Sequence, residues 1–387
     1  SKTLFYMSFA IGYIAGPFGA IFFGHIGDRK GRKVTMYASL LMMGISTSII
    51  GILPPAASAG VGVVIVLQLM RLAQCFGRGG TWGGGILMAY ENVPENKRSF
   101  YAAIPQIGLP IGFGLSSILI AVPTLLLPED IFFTWGWRIP FLAAIILTVI
   151  VIRQKGEMME TEDYKKAQAK LEAEEAEGKK HKVGFIPMVK GYWKTLLLGC
   201  GTRWVDGTFY NIFIVWILSY CINWLGMPLI QTYIITIIAC IFKIPFTLFG
   251  GWCAQKLGNT RTFVIGALAS AVLSIPTLKV IELSKGNLAI TIIGIVLGWS
   301  IAYNLIWAVI SSLWSSYFET EVRYSGISFV YHVPSFLVAG MVPTICTLLI
   351  NYGNGDTIYV GIYSTVVALI SAACALALKA RHDRGEK

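Results

Sequence analysis

Charge is scarce in this sequence. Only 13% of its 387 residues are Asp, Glu, Lys or Arg, about half the share of a soluble globular domain. That shortage argues against a water-solvated surface wrapped around one core. Metal and redox spacings are lacking too. The seven cysteines (Cys75, Cys200, Cys221, Cys240, Cys253, Cys346 and Cys374) form no CxxC pair and lie in or beside apolar runs. There they read as small hydrophobes of a helix bundle. The four histidines are scattered, and no HExxH helix is present. No metal centre and no cofactor is therefore expected. A GxxxxGK[ST] loop is also missing, which argues against an ATP-driven pump. No nucleophile–base constellation points to an enzyme.

Apolar sequence is what the chain has in quantity. It is 55% hydrophobic, with a mean hydropathy of +0.67. Eleven stretches can be read, at about 3–26, 34–53, 61–89, 99–122, 138–153, 195–222, 230–253, 262–281, 288–314, 324–350 and 358–379. A helix needs about 20 mostly apolar residues to cross a bilayer. The fold class expected is an all-α membrane protein with the lipid bilayer as its surroundings. Gly and Pro recur in these stretches, as helices bundled in a membrane tolerate.

The net charge of +11 would suggest nucleic acid in a soluble protein. Here the loops explain it, and no nucleic-acid partner is expected. One set of loops carries Arg29, Lys30, Arg32, Lys33, then Lys97, Arg98, then Lys256, Arg261, then Arg323, then the tail Lys379, Arg381, Arg384, Lys387. The opposite set has only Lys2, Arg138, Lys279 and Lys285. The positive-inside rule puts the first set and the C-terminus in the cytoplasm of a multi-pass plasma (inner) membrane protein. Eleven helices then leave residue 1 outside. Since the chain opens at Ser1 almost directly in an apolar run, one further helix is expected upstream, making twelve.

The segment 154–194 breaks the apolar pattern, with Glu and Lys interleaved at helical spacing in TEDYKKAQAKLEAEEAEGKKHK (161–182). It reads as a solvated, partly helical linker. The domain expectation is an N-terminal half at 1–153, a cytoplasmic linker at 154–194 and a C-terminal half at 195–387. A faint repeat ties the halves together. Gly24–His–Ile–Gly–Asp–Arg–Lys–Gly31 follows the first stretch, and Gly251–Trp–Cys–Ala–Gln–Lys–Leu–Gly258 follows its counterpart, with Gln255 where Asp28 stands. Paired halves around a central site are a transporter signature.

GHIGDRKGRK (24–33) resembles the loop signature of the major facilitator superfamily. With it, GPFGAIFFGHIGDRKGRK (16–33), RLAQCFGRGGTWGG (71–84), PQIGLPIG (105–112), WGWRIPFL (135–142) and VRYSGISFVYH (322–332) resemble the metabolite:proton symporter family, which includes permeases for shikimate, α-ketoglutarate, citrate and betaine. The resemblance implies two six-helix halves and proton-coupled symport. It departs from the family pattern at Thr81, where Glu is expected, and at Arg78, where a small apolar residue is usual.

Ionisable residues inside a bilayer are functional candidates by default. Arg71, Gln74 and Arg78 share one helix. Seven residues turn about 700°, close to two full turns, so Arg71 and Arg78 share a face. The resemblance links Arg71 to proton coupling. Arg203 and Asp206 are three apart and can meet; Tyr210 lies one turn on. Lys243 sits at the centre of an apolar segment. Gln106 and Tyr303 are candidate walls of a substrate site, with Asn304 and Trp299. His332 is a candidate for titration near neutral pH. Asp206, Arg71 and His332 make the proton-coupling set. Arg71, Gln74, Arg78, Gln106, Arg203, Tyr210, Lys243 and Tyr303 make the substrate set. Gly24, Asp28, Arg29, Gly31 and Arg32 read as a conformational gate, in which a loop carboxylate can face a helix N-terminus from the other half.

Four interior cations against Asp206 call for an anionic partner. The function expected is secondary active transport of a small organic anion, a carboxylate, by a monomer that couples it to protons through alternating access. The alternatives are a carrier of zwitterionic osmolytes and a non-transporting solute sensor. In sealed right-side-out cells, single cysteines placed at Gly31, Asn96, Gly178 or the C-terminal tail should resist an impermeant thiol reagent; external labelling at Gly178 would overturn the topology.

Overall fold

A computed structural model describes residues 2–55, 60–154, 160–176 and 185–386. Gly178 and Lys387 lie outside the described residues. Every regular element among them is helical. The longer helices are α1 (Lys2–Lys30), α2 (Arg32–Ile52), α3 (Val61–Glu91), α4 (Glu95–Leu126), α5 (Gly136–Gln154), α6 (Glu162–Ala176), α7 (Phe185–Asn211, continued to Asn223), α8 (Leu229–Leu257), α9 (Asn259–Leu283), α10 (Leu288–Ser315), α11 (Arg323–Tyr352) and α12 (Ile358–Asp383), with a short turn of helix at Glu129–Thr134. Among the described residues, ten runs are long and apolar enough to cross a membrane: α2 to α5 and α7 to α12. Helix α1 precedes them, and α6 falls in the charged segment.

Helices dominate for a simple reason. Hydrocarbon offers no partner to backbone N–H and C=O groups, so each segment must satisfy them internally. The bonding register slips in three places. π-Helical turns occupy Ile212–Trp216 in α7, Val296–Ala302 in α10 and Phe336–Gly340 in α11. Such turns occur often at functional sites.

The chain forms two compact units. One gathers Ser1–Asn92, Leu119–Gly191 and Phe318–Val333; the other gathers Val93–Ile118, Tyr192–Tyr317 and Pro334–Lys387. In the first, α1 packs on α3 and on the start of α11, while α2 packs on α3 and α5. In the second, α8 packs on α10 and on the start of α4, and α9 packs on α10 and α12.

The two copies of the loop repeat have the same backbone. Gly31 has φ 102° and ψ 158°, and Gly258 has φ 90° and ψ 153°, each just before a helix begins. Positive φ is open to glycine at no steric cost. The segment expected as a solvated, partly helical linker is not solvated at every residue. Thr161 and Tyr164 are buried, because their hydroxyls have partners on α1 and α3 that composition does not reveal.

Small residues bring α1 and α3 into backbone contact. A Cβ on Gly79 would overlap the backbone of Gly19 and Ala20, and one on Gly19 would overlap the carbonyl of Phe76. No side chain can yield there, so Gly79→Val should cost about 3 kcal/mol or more through overpacking. A lowered unfolding midpoint in detergent, beside an unaffected Gly85→Ala control facing open space, is the expected result.

Candidate functional site

Two clusters of buried polar side chains stand out, one in each unit. The first forms at the loop signature. Asp28 lies in the last turns of α1 with its side chain out of solvent. Its Oδ1 accepts from the backbone N–H of Tyr324 at 3.2 Å and its Oδ2 from that of Ser325 at 3.0 Å. These are the first N–H groups of α11, which have no partner within the helix and sit at its positive end. Close approach is possible because Gly24 lies against Ser325 and Gly27 under the Tyr324 ring.

Arg32 is wholly buried beside it. Its Nη1 donates to the Gly27 carbonyl at 2.8 Å and lies 3.6 Å from Asp28. Its Nε and Nη2 grip Glu91 at 3.2 and 3.4 Å, and Nη2 also reaches the Thr320 carbonyl at 2.7 Å. Glu91 accepts in addition from Arg323 at 2.9 Å and from the Thr161 hydroxyl at 2.7 Å. The charged segment closes the cluster. Glu160 accepts from the backbone N–H groups of Arg32 and Lys33 at 2.9 and 3.2 Å. Tyr164 donates to the Arg29 carbonyl at 2.9 Å, and its ring lies 4.7 Å from the Arg32 guanidinium. Burial holds the Tyr164 hydroxyl above its usual pKa. The sequence alone does not single out Glu91, Glu160, Thr161 or Tyr164. A lone acid closing a 31-residue apolar helix was the one available signal.

The repeat's second copy makes the same joint without charge. Gln255 accepts from the Phe100 N–H at 3.3 Å and donates to the Asn96 carbonyl, so it caps the start of α4.

The second cluster lies where α7, α8 and α10 meet. Arg203 and Asp206 are one turn apart on α7 and form an ion pair. The other oxygen of Asp206 accepts from the Tyr303 hydroxyl. Tyr303 stacks on Phe209 at 6.1 Å. Its face also looks onto the Lys243 ammonium, 4.3 Å from the ring centre, with Trp299 at 4.4 Å and Trp307 at 6.0 Å. Residues 299, 303 and 307 are one turn apart each, so they line one face of α10. Lys243 is fully buried, and its ammonium donates to the Trp299 carbonyl at 3.4 Å. Its backbone is pinned, since its carbonyl accepts from Asn304 Nδ2 and the Thr247 hydroxyl, both at 2.8 Å. The Trp299 indole N–H is buried without a hydrogen-bond partner among the described residues.

The remaining candidates make other contacts. Gln106 is buried and donates to the Trp307 carbonyl at 3.0 Å, while the Trp307 indole donates to the Gln106 carbonyl at 3.1 Å. Tyr210 meets Phe113 edge to face at 5.9 Å. On α3, Arg71 is half-buried and Arg78 exposed, and Gln74 donates to Thr47 at 2.6 Å. Thr81 hydrogen-bonds Ser39 at 3.2 Å. His332 is buried on α11 against Gly16 and next to Tyr331, whose ring stacks on Trp82 at 4.0 Å.

Comparison with known proteins places the chain in a family. The profile of the Major Facilitator Superfamily matches residues 1–343. The inner membrane metabolite transport protein YhjE of Escherichia coli is 33% identical over 97% of this chain and 84% of its own length. The E. coli shikimate transporter is 30% identical over 97% and 84%. The proline/betaine transporter of Salmonella typhimurium is 27% identical over 97% and 75%. The solved proton:xylose symporter XylE superposes with a TM-score of 0.75 at 17% identity, over 97% of this chain and 85% of its own, which speaks to the fold. With these matches and its helical membrane architecture, this chain belongs to the Major Facilitator Superfamily and is a multi-pass membrane transporter.

Proposed function

We propose that this transporter carries a small organic anion, a carboxylate, in symport with protons, and that it does so by alternating access. One observation carries the reading. Among the described residues, the buried α7–α8–α10 cluster holds two cations, Arg203 and Lys243, against the one carboxylate of Asp206. A spare positive charge in a low-dielectric interior favours an anion as the missing partner. Arg203 offers the planar fork that suits a carboxylate, and Asp206 is the group whose protonation would free it. Arg71, Gln74, Arg78, Gln106, Tyr210 and Tyr303 complete the proposed substrate set, and Arg71 and His332 the proton path. The relative that transports shikimate, itself a carboxylate, agrees with this reading.

A second reading is a zwitterionic osmolyte. It is favoured by the three aromatic faces at Lys243, since aromatic rings suit ammonium groups, and by the proline/betaine relative. Proteoliposome uptake decides whether solute accumulates at all, which a sensor would not achieve. We further take residues 1–153 and 195–387 as two halves joined by a cytoplasmic segment, in a monomer with its C-terminus in the cytoplasm.

Asp28 and the groups around Arg32 form the proposed gate. Their bonds join the end of α1 to the start of α11, and they exist in the conformation described here. Hydrogen bonds to a charged group are worth about 1.5–3 kcal/mol each. Asp28→Ala should therefore slow transport roughly tenfold or more while leaving substrate affinity within about threefold. Unchanged turnover in reconstituted vesicles would remove Asp28 from the gate.

Asp206→Asn should keep substrate exchange but abolish accumulation driven by an inward proton gradient. A mutant that still concentrates substrate would assign coupling to another acid. Arg203→Ala should weaken carboxylate binding by about 2–5 kcal/mol, the loss typical when one partner of a buried hydrogen-bonded charge pair is removed. Equal affinity of the wild type for an acid and its uncharged amide would refute the anion reading.

A further inference from the structure

Lys243 is held in an unusual manner for a lysine. An ammonium has three donors, yet the contacts that surround this one are mainly ring faces: Trp299 at 4.4 Å, Tyr303 at 4.3 Å and Trp307 at 6.0 Å. Its hydrogen bond to the Trp299 carbonyl is long, at 3.4 Å. The nearby carboxylate of Asp206 is engaged by Arg203 and by the Tyr303 hydroxyl. Three aromatic faces within about 6 Å of a cation are the chemistry that recognises alkylated ammonium groups. The stem that delivers Lys243 is fixed at its root by Asn304 and Thr247. Tyr303 belongs to both arrangements, with its ring on the cation and its hydroxyl on Asp206.

The geometry points to a binding site for an alkylammonium group, formed by Trp299, Tyr303 and Trp307 and occupied here by the chain's own lysine. Lys243 acts as a tethered stand-in for the cationic end of a zwitterion. It thereby sets specificity. With the lysine in place, a ligand's ammonium finds its site filled and the cluster carries a spare positive charge, so a simple anion fits. Without it, the cage and the Arg203 fork would offer one site for each end of a zwitterion. This specificity argument rests on the anion reading; the existence of the cage does not.

Two variants of the purified full chain test it. In Lys243→Ala the four atoms beyond Cβ are removed and the cage is vacated. Tetramethylammonium chloride should then quench tryptophan fluorescence saturably, and the quench should vanish when Trp299→Leu is added. The wild type should show no saturable quench, and tert-butanol, a neutral molecule of similar shape, should give none in either protein. Lys243→Met keeps most of the stem and removes the ammonium. Its affinity ratio for glycine betaine over 3,3-dimethylbutyrate, which has carbon in place of nitrogen, should rise roughly tenfold or more over the wild type, because the like charge that repels the ligand's ammonium is gone. A folded, monodisperse Lys243→Ala protein that does not bind tetramethylammonium overturns the cage. An unchanged ratio in Lys243→Met overturns the specificity role even where the alanine variant does not fold. Tetramethylammonium binding in Lys243→Ala, in a protein whose carboxylate binding ignores Arg203, would keep the cage and sink the anion reading alone.

Discussion

Arg32 reaches Glu91 through Nε and Nη2, the Gly27 carbonyl through Nη1 and the Thr320 carbonyl through Nη2, with its side chain wholly out of solvent. A buried guanidinium is costly unless its donors are met. Meeting them fixes the end of α1, the start of α2, the end of α3 and the approach to α11 around one planar group. The carboxylates nearby follow from that choice. Glu91 balances the charge, and Asp28 and Glu160 take up backbone N–H groups at the starts of α11 and α2. Each of these acids would be unstable alone in such a place; each is held by donors that cannot leave without moving a helix.

The interior cluster solves the same problem differently. There the cation without a carboxylate of its own is surrounded by ring faces, and a single tyrosine connects it to the ion pair on α7. The π-helical turn at Val296–Ala302 lies directly before Tyr303 and contains Trp299. A local change of register of this kind re-aims the side chains that follow it. The Ser300 hydroxyl, bonded to the Ala239 carbonyl at 2.8 Å, ties that turn to α8. The arrangement of Lys243 thus depends on a backbone irregularity on the neighbouring helix.

Much of the fold was legible in the sequence, because a bilayer helix announces itself by length and hydropathy alone. The stretches at 61–89, 230–253 and 262–281 fall within α3, α8 and α9, and 34–53 overruns the end of α2 by one residue. The matched glycines Gly31 and Gly258 were legible for a similar reason, since only glycine adopts that backbone freely. Partnership was not legible. Glu91 lies 59 residues from Arg32 and 232 from Arg323, and nothing local marks it as their counter-ion. Glu160 and Tyr164 were averaged into a run of Glu and Lys whose composition is that of a solvated helix. Trp299 was read as a candidate wall residue and Trp307 was not singled out, since aromatic residues in membrane helices mostly pack; only the position of Lys243 makes their spacing meaningful.

The repeated loop has kept its glycines and changed its chemistry. Asp28 meets its helix start as an anion, and Gln255 meets its own as a neutral amide. A charged joint answers to proton concentration and to any shift in the surrounding electric field, including the potential across a membrane. An amide joint does not. The duplicated part has become a pair of unlike bearings, one electrically sensitive and one indifferent. Two copies of one faint loop repeat thereby differ in a way that their matched glycines conceal.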